Sequence, residues 1–284
     1  MASTTNGAGN GGGLPGNGNG APAAPAHPDP QRIAVLAKRV DEAARNASPI
    51  AQFAEAEGVG EAEAYAIQAA SIARRLHRGE HRTGMKMGFT SRAKMLQMGV
   101  HDMIWGRLTD AMAEGDGAPV SMKRFVHPRV EPEIAFLLKR PLPARPSMAE
   151  ALDAVAAIAP ALEIIDSRFD NFKFTLGDVV ADNASSSGYV IGPWCDPHQD
   201  FSNLGLVMSI NGTPKQIGST AGILGHPLRS LVAAARLSAG AGEPLEAGWI
   251  IMAGGATAAE ALAPGQHILL EMQNLGRVEF NTVE

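Results

Sequence analysis

Two glutamates one residue apart open an apolar run, Val130-Glu131-Pro132-Glu133-Ile134-Ala135-Phe136-Leu137-Leu138. On a β-strand the period of two puts Glu131 and Glu133 on one face, about 7 Å apart along the backbone, with Ile134, Phe136 and Leu138 on the other. Two half-buried carboxylates this close repel each other and lose hydration, so a cation or a shared proton must offset the cost. A bound ion is the economical account; an edge strand with a solvated Glu-Pro-Glu face is the alternative, because Pro132 is tolerated at an edge. A third glutamate, Glu163, sits inside Ala159-Pro160-Ala161-Leu162-Glu163-Ile164-Ile165-Asp166, where a carboxylate is seldom present for solubility. Three carboxylates make a hard, all-oxygen donor set, which suits Mg2+, or Mn2+, better than zinc. Asp166 is an alternative third ligand, or a group that orients Arg168.

Three further segments carry polar groups in settings that bear on chemistry. In Gly84-Met85-Lys86-Met87-Gly88-Phe89-Thr90 a lysine stands between apolar neighbours; desolvation lowers the pKa of such an amine and fits it for acid or base work, whereas a surface lysine between strands is the plain alternative. Asp182-Asn183-Ala184-Ser185-Ser186-Ser187 is a turn-rich loop before a β run, suited to holding a ligand or to forming Asx turns. The glycines of Ala253-Gly254-Gly255-Ala256-Thr257-Ala258 let backbone N–H groups and the Thr257 hydroxyl approach a carboxylate closely. His77 and His81 have metal-ligand spacing, but Gly79 between them and the flanking Arg78 and Arg82 argue against a metal pair.

These groups need elements to position them, and the apolar pattern supplies candidates. Residues 1–30 hold 8 Gly, 5 Pro and 4 Asn, with Leu14 almost the only large apolar residue, so that segment is expected to be a disordered tail. Its Gly16-Asn17-Gly18-Asn19-Gly20 run precedes no helix and follows no strand, which makes a phosphate cradle a weak reading. Ile33, Leu36, Val40, Ala44 and Ala47 recur at helical spacing. A second helix is expected from Glu61 to about Arg78, acidic in its first turn and basic in its last, with Gly79 to end it. Residues 31–82 are thus read as the helical N-terminal part. In 83–284, the β-rich part, strands are expected at 83–89, 130–138, 160–165, 189–192, 204–210, 249–252 and 267–272. A helix announced by the capping box Ser147-Met148-Ala149-Glu150 and carried by Leu152, Val155 and Ile158 interrupts them. With 284 residues and a net charge of −5, the chain can bury a substantial core and lacks the basic footprint that nucleic acid or anionic lipid requires. Cys195 is the single cysteine and has no intramolecular partner. No apolar run reaches the roughly 20 residues that span a bilayer, and the N-terminus lacks the basic start and apolar core of a secretory signal. A soluble cytoplasmic protein with no nucleic acid and no membrane among its partners is expected.

Taken in order and spacing, Gly84-Met85-Lys86-Met87-Gly88-Phe89-Thr90-Ser91, Glu131-Pro132-Glu133, Pro160-Ala161-Leu162-Glu163, Val180-Ala181-Asp182-Asn183-Ala184-Ser185 and Gly254-Gly255-Ala256-Thr257 resemble the fumarylacetoacetate hydrolase superfamily, in its branch of 2-oxopent-4-enoate hydratases and 4-oxalocrotonate (2-oxo-3-hexenedioate) decarboxylases. The resemblance covers residues 31–284. It implies an α+β fold, a mainly β mixed-sheet roll of the fumarylacetoacetate hydrolase C-terminal type with flanking N-terminal helices. It also implies Glu131, Glu133 and Glu163 as ligands of a divalent metal, Lys86 as the acid/base, and Thr257, Asn183 and Ser185 as substrate contacts. Hydratases of the branch carry an acidic residue ahead of the aromatic-Gly pair, where this chain has Ile104 before Trp105 and Gly106. An apolar Ile104 cannot hold or deprotonate a water, which points to decarboxylation and makes Ile104 and Trp105 the specificity positions. The segment Ser167-Arg168-Phe169-Asp170-Asn171-Phe172-Lys173-Phe174 also looks more like the decarboxylases, and Lys173 or Arg168 is expected to meet the second carboxylate of a small 2-oxo dicarboxylic acid. The reaction implied is loss of CO2 from 4-oxalocrotonate in aromatic catabolism by the meta-cleavage route, with the ion as electron sink and no organic cofactor. The alternatives are a 2-oxopent-4-enoate hydratase and a non-catalytic, metal-stabilised assembly subunit. A homo-oligomer is expected, with a complex with a paralogous hydratase as a further option.

Overall fold

The computed structural model describes residues 29–53, 58–91, 95–96 and 102–284; the expected tail and its glycine run lie outside them, apart from Asp29 and Pro30. Helix α1 (Pro30–Arg45) starts at Asp29, whose carboxylate accepts from the Gln31 N–H, with Pro30 in the first turn, where its missing donor costs nothing. Helix α2 (Glu61–His77) runs beside it. Their apolar stripes, with Leu36, Val40 and Ile67, bury a cluster that also takes in Val179, Val180 and Phe169. Asp41, almost fully buried, ties the pair together by accepting from Arg74 at 2.7 Å and from Arg78 at 2.6 and 2.8 Å. The helix ends before His81, which pairs with Asp110 instead.

The remaining chain forms β1 (Arg82–Gly88), β2 (Ile104–Thr109), β3 (Ala113–Glu114), β4 (Pro119–Ser121), β5 (Arg129–Leu138), β6 (Val155–Ile165), β7 (Ser186–Ile191), β8 (Gly205–Ile210), β9 (Thr213–Ser219), β10 (Ile250–Met252), β11 (Glu260–Ala261), β12 (His267–Met272) and β13 (Gly276–Val283), with helices α3 (Met148–Asp153), α4 (Leu176–Ala181) and α5 (Pro227–Gly240) between them. Among the described residues the strands make two sheets. The larger has the order β2-β1-β10-β5-β6-β7-β3, with β11 also on β5, and mixes parallel and antiparallel pairs; the smaller runs β4-β13-β12-β8-β9. The main core lies between them, where Ile134, Phe136 and Leu138 of β5 cluster with Met208, Ile268, Leu270 and Phe280 of the second sheet and Leu228, Leu231 and Ala234 of α5.

All seven expected strands form, but the pattern misjudged one junction. The capping box at Ser147 is present, yet α3 stops at Asp153 and β6 begins at Val155. Val155 and Ile158 are therefore strand residues, taken out of the helix by pairing with Leu138 and Phe136 of β5. Six strands, β2, β3, β4, β9, β11 and β13, and the helices α4 and α5 were not expected from the apolar pattern. β9 is largely exposed, so it lacks the apolar alternation that signals a half-buried strand. No described helix is long and apolar enough to cross a membrane.

Lys86 owes its position to β1, which lies between β2 and β10 with Lys86 opposite Gly106 and Met252. The parallel β1–β10 pair is unusually close at its start, because a Cβ on Gly84 would stand 1.8 Å from the Ile250 carbonyl oxygen. Gly84→Ala is therefore expected to force the two strands apart and cost about 1–3 kcal/mol or more, in the range of overpacked cores. A urea titration measures the loss; an unchanged midpoint would show that β1 can shift freely.

Candidate active site

The alternation of β5 sorts its residues as the spacing predicts. Ile134, Phe136 and Leu138 face the core, while Arg129, Glu131 and Glu133 share the opposite face. The edge-strand alternative fails, because β5 is central, with β6 on one side and β10 and β11 on the other. Pro132 falls in the interval between β10 and β11, where a loop rather than a strand is its neighbour and the Ala256 N–H donates to the Pro132 carbonyl at 2.9 Å. β6 runs antiparallel to β5 with Glu163 directly opposite Glu131. Glu131, Glu133 and Glu163 are all buried, and each offers a carboxylate oxygen within 4.8 Å of the others.

The electrostatics of this cluster call for a cation. Burial, reinforced by the field of Glu163, raises Glu133 well above the ordinary carboxylate range. Burial also raises Glu163, although Lys86 pulls the other way. Glu133 accepts the Gly254 N–H at 2.7 Å through one oxygen, while its other oxygen has no hydrogen-bond partner among the described residues. Glu163 accepts from the Ser186 hydroxyl at 3.0 Å through one oxygen, and its second oxygen lies 3.0 Å from Lys86 Nζ in an ion pair outside hydrogen-bond geometry. Buried carboxylate oxygens left without donors fit the hard-ligand shell of a divalent ion. The glycine turn makes room for it: Gly254 has φ +98°, and a Cβ on Gly255 would stand 2.9 Å from the Glu131 carboxylate.

Lys86 is almost fully buried, and its ammonium donates to the Ala184 carbonyl at 3.0 Å. The lowered pKa expected from apolar neighbours is not found. Burial does oppose the charge, but Glu163, Glu133 and Glu131 outweigh it and hold Lys86 above its ordinary value. The sequence neighbours of a lysine on a strand point to the other face, so the residues that set its charge were not those beside it in the chain.

Above the carboxylates opens a cavity of about 380 Å3 whose lining includes Lys86, Glu131, Ile104, Phe89, Phe172, Phe174, Ser185 and Arg129. One wall is the turn after α4, where Asn183, Ala184 and Ser185 all have positive φ, 53°, 50° and 60°. A strained turn of that kind persists only if its surroundings fix it. Here the Asn183 side chain accepts from the Arg107 N–H at 2.7 Å and donates to the Arg107 carbonyl at 2.9 Å. Gly106 lets the turn approach, since a Cβ there would lie 2.4 Å from the Asn183 carbonyl oxygen. Behind it Arg168 binds Asp182, with Nε donating at 2.5 Å and Nη2 donating to the Asp182 carbonyl at 2.7 Å. Burial pushes Asp182 up to about 7 even beside that guanidinium.

Not all of the expected site residues line this cavity. Asn183 and Arg168 brace the wall from behind, and both line a separate cavity on its far side. Lys173 is exposed and does not line the cavity above Lys86. Thr257 is half-buried, its hydroxyl donating to the Ala258 carbonyl at 3.3 Å, and it too lies off the lining. Trp105, the neighbour of Ile104, faces the other side of β2, where it stacks on Tyr65 at 5.2 Å under the Arg107 guanidinium. Asp166 is not the third ligand: its carboxylate accepts the Val126 N–H at 2.9 Å and the His127 N–H at 2.5 Å, and lies 4.0 Å from Arg168. Ser185 and Ile104 do line the cavity. Arg129 and the aromatic pair Phe172 and Phe174 were missed, though Arg129 stands two residues before Glu131 and the strand alternation that links the glutamates includes it.

The fumarylacetoacetate hydrolase C-terminal family pattern matches residues 78–284. A 4-oxalocrotonate decarboxylase of Pseudomonas sp. is 54% identical over 88% of this chain and 98% of its own. A 2-keto-4-pentenoate hydratase of Paraburkholderia xenovorans (strain LB400) is 35% identical over 89% of this chain and 96% of its own. The solved structure of 4-oxalocrotonate decarboxylase from Pseudomonas putida G7, complexed with magnesium and adipate, superposes with a TM-score of 0.86 at 38% identity, covering 89% of this chain and 98% of that one.

Because Glu133 and Glu163 have folded-state pKa values raised above the usual 4.5, their neutral forms favour the fold. Stability of the metal-free protein is present at low pH and declines as pH rises through the raised values. Chelator-treated protein is expected to lose melting temperature as pH rises above the ordinary carboxylate range, and Glu133→Gln to flatten that slope. Added divalent ion should restore the wild type but not Glu163→Gln. A flat wild-type profile would mean that the cluster does not strain the empty fold.

Proposed function

The chain belongs to the fumarylacetoacetate hydrolase family, and on that footing we propose that it is a magnesium-dependent 4-oxalocrotonate decarboxylase, a carbon-carbon lyase of aromatic catabolism. The observation that carries the reading is the union of three buried glutamates and one buried lysine beneath a cavity whose position next to the lysine strand is filled by apolar Ile104. Identity of 54% to a decarboxylase along nearly its whole length supports the same choice.

Glu131, Glu133 and Glu163 hold the magnesium ion. When bound, it supplies a Lewis acid for the carboxylate and keto oxygens of a 2-oxo acid. Decarboxylation breaks the bond to the distal carboxylate carbon; CO2 leaves and the bonding pair passes into the conjugated chain toward the keto group. Lys86, charged because three carboxylates surround it, carries a proton at Nζ and delivers it to the electron-rich chain. Ala184 fixes the direction of that ammonium through its carbonyl. Ile104, Phe89, Phe172, Phe174 and Val179 keep the cavity wall apolar, which disfavours hydration of the departing carboxylate and leaves no side chain at Ile104 to present a water to the product. A structural role for the ion alone does not account for the open cavity beside Lys86.

Incubation with 4-oxalocrotonate and with 2-hydroxypenta-2,4-dienoate in parallel, with and without Mg2+, tests the reading. CO2 should appear from the first substrate only when the ion is present. Efficient hydration of the second without CO2 from the first would make the protein a hydratase with the same glutamates and lysine. In the magnesium-loaded enzyme Lys86→Met should lower kcat by about 10²- to 10⁴-fold, the scale for removing a general acid or base. Ile104→Asp should slow decarboxylation and introduce hydration of the dienol product.

A further inference from the structure

Arg129 is the cation in the cavity that the reaction as described leaves without a task. It begins β5, two residues before Glu131, and lines the same cavity as Lys86 and Glu131. Its guanidinium lies over the Phe172 ring, 4.5 Å from the centroid, and among the described residues it has no ion-pair partner. The other groups around it are mainly apolar, including Ile165, Phe174, Val179 and Ala258. A half-buried guanidinium with a flat aromatic support and free donors presents the planar fork that binds a carboxylate through two parallel hydrogen bonds.

We infer that Arg129 is the subsite for the distal carboxylate and selects a dicarboxylate over a monocarboxylate substrate. The inference rests on the decarboxylase reading for the identity of the substrate, and on β5 for the geometry. Along that strand the two ends of the ligand are recognised by side chains of one face, Arg129 at one end and Glu131 with Glu133 at the other, with about 7 Å of backbone from Arg129 to Glu131. An extended six-carbon diacid spans that interval. Phe172 restricts the guanidinium to one plane, so little side-chain entropy is lost on binding. Lys173 and Arg168, which the sequence offered for this role, are respectively exposed and committed to Asp182.

The charge that Arg129 binds disappears as the carboxylate leaves as neutral CO2. The interaction is therefore stronger in the ground state than in the transition state, and it supports substrate affinity without raising the rate of the chemical step. A residue needed only to shape the cavity would not divide its effect in that way.

The test measures binding of adipate and hexanoate to the magnesium-loaded protein by calorimetry, alongside steady-state kinetics with 4-oxalocrotonate. Wild type should prefer adipate. Arg129→Met should weaken adipate by about 10- to 100-fold, the scale of a lost charge-assisted hydrogen-bonded pair, leave hexanoate unchanged, and raise KM without lowering kcat. Arg129→Lys should recover part of the preference, and Phe172→Leu, which keeps the packing but removes the aromatic support, should lose part of it. If Arg129→Met misfolds, these two variants still decide the matter. Equal binding of the two acids by wild type, or adipate affinity unaltered in the variants, overturns the inference. Adipate preference in a wild-type protein that releases no CO2 would retain the subsite and reject the decarboxylase; CO2 release with no effect at Arg129 would do the reverse.

Discussion

Three carboxylates with oxygens within 4.8 Å of one another, all buried, are the constraint on which the rest of the structure depends. Such a cluster is tolerable only if donors and cations are delivered to it from several directions. β1 brings Lys86, the loop after β10 brings the Gly254 N–H, and β7 brings the Ser186 hydroxyl. β5 and β6 set the register that puts Glu131 opposite Glu163. Each contribution comes from a different part of the chain, so the mixed sheet order is what makes the site possible.

The turn at residues 183–185 follows from the same constraint. It must present the Ala184 carbonyl to Lys86 while keeping Ser185 at the cavity, and it does so with three successive residues in the left-handed region. That conformation is costly for residues with a Cβ. Its supports are polar and buried: the Asn183 amide on the Arg107 backbone, and Arg168 on Asp182. Asn183 and Arg168 thus hold the wall, while the cavity itself is lined largely by apolar side chains and two cations.

Much of the site was legible because strand alternation acts locally. Glu131 and Glu133 share a face for the same reason that Ile134, Phe136 and Leu138 share the other, and a lone Glu163 in an apolar run marks a buried charge. The same rule applied two residues earlier would have found Arg129. What alternation does not report is the direction of a polar side chain in a turn, as the Asn183 amide on the Arg107 backbone illustrates. Nor does it separate a short helix from the strand that follows, as the junction at Val155 illustrates. Ile104 and Trp105 are neighbours in sequence, yet one lines the cavity and the other stacks on Tyr65 behind the strand.

By itself the sequence determined the residue types of the centre, the faces they occupy on their strands and the family to which they belong, because these follow from covalent order and a repeat of two. Only the tertiary structure decided which charges meet. Lys86 is held charged by glutamates 45 to 77 residues away, against the lowered pKa that its apolar sequence neighbours suggest. Arg168 is paired with Asp182, and Arg129, without an ion-pair partner among the described residues, lies over Phe172. Electrostatic energies depend on distance through space and on burial, and neither is a property of position along the chain.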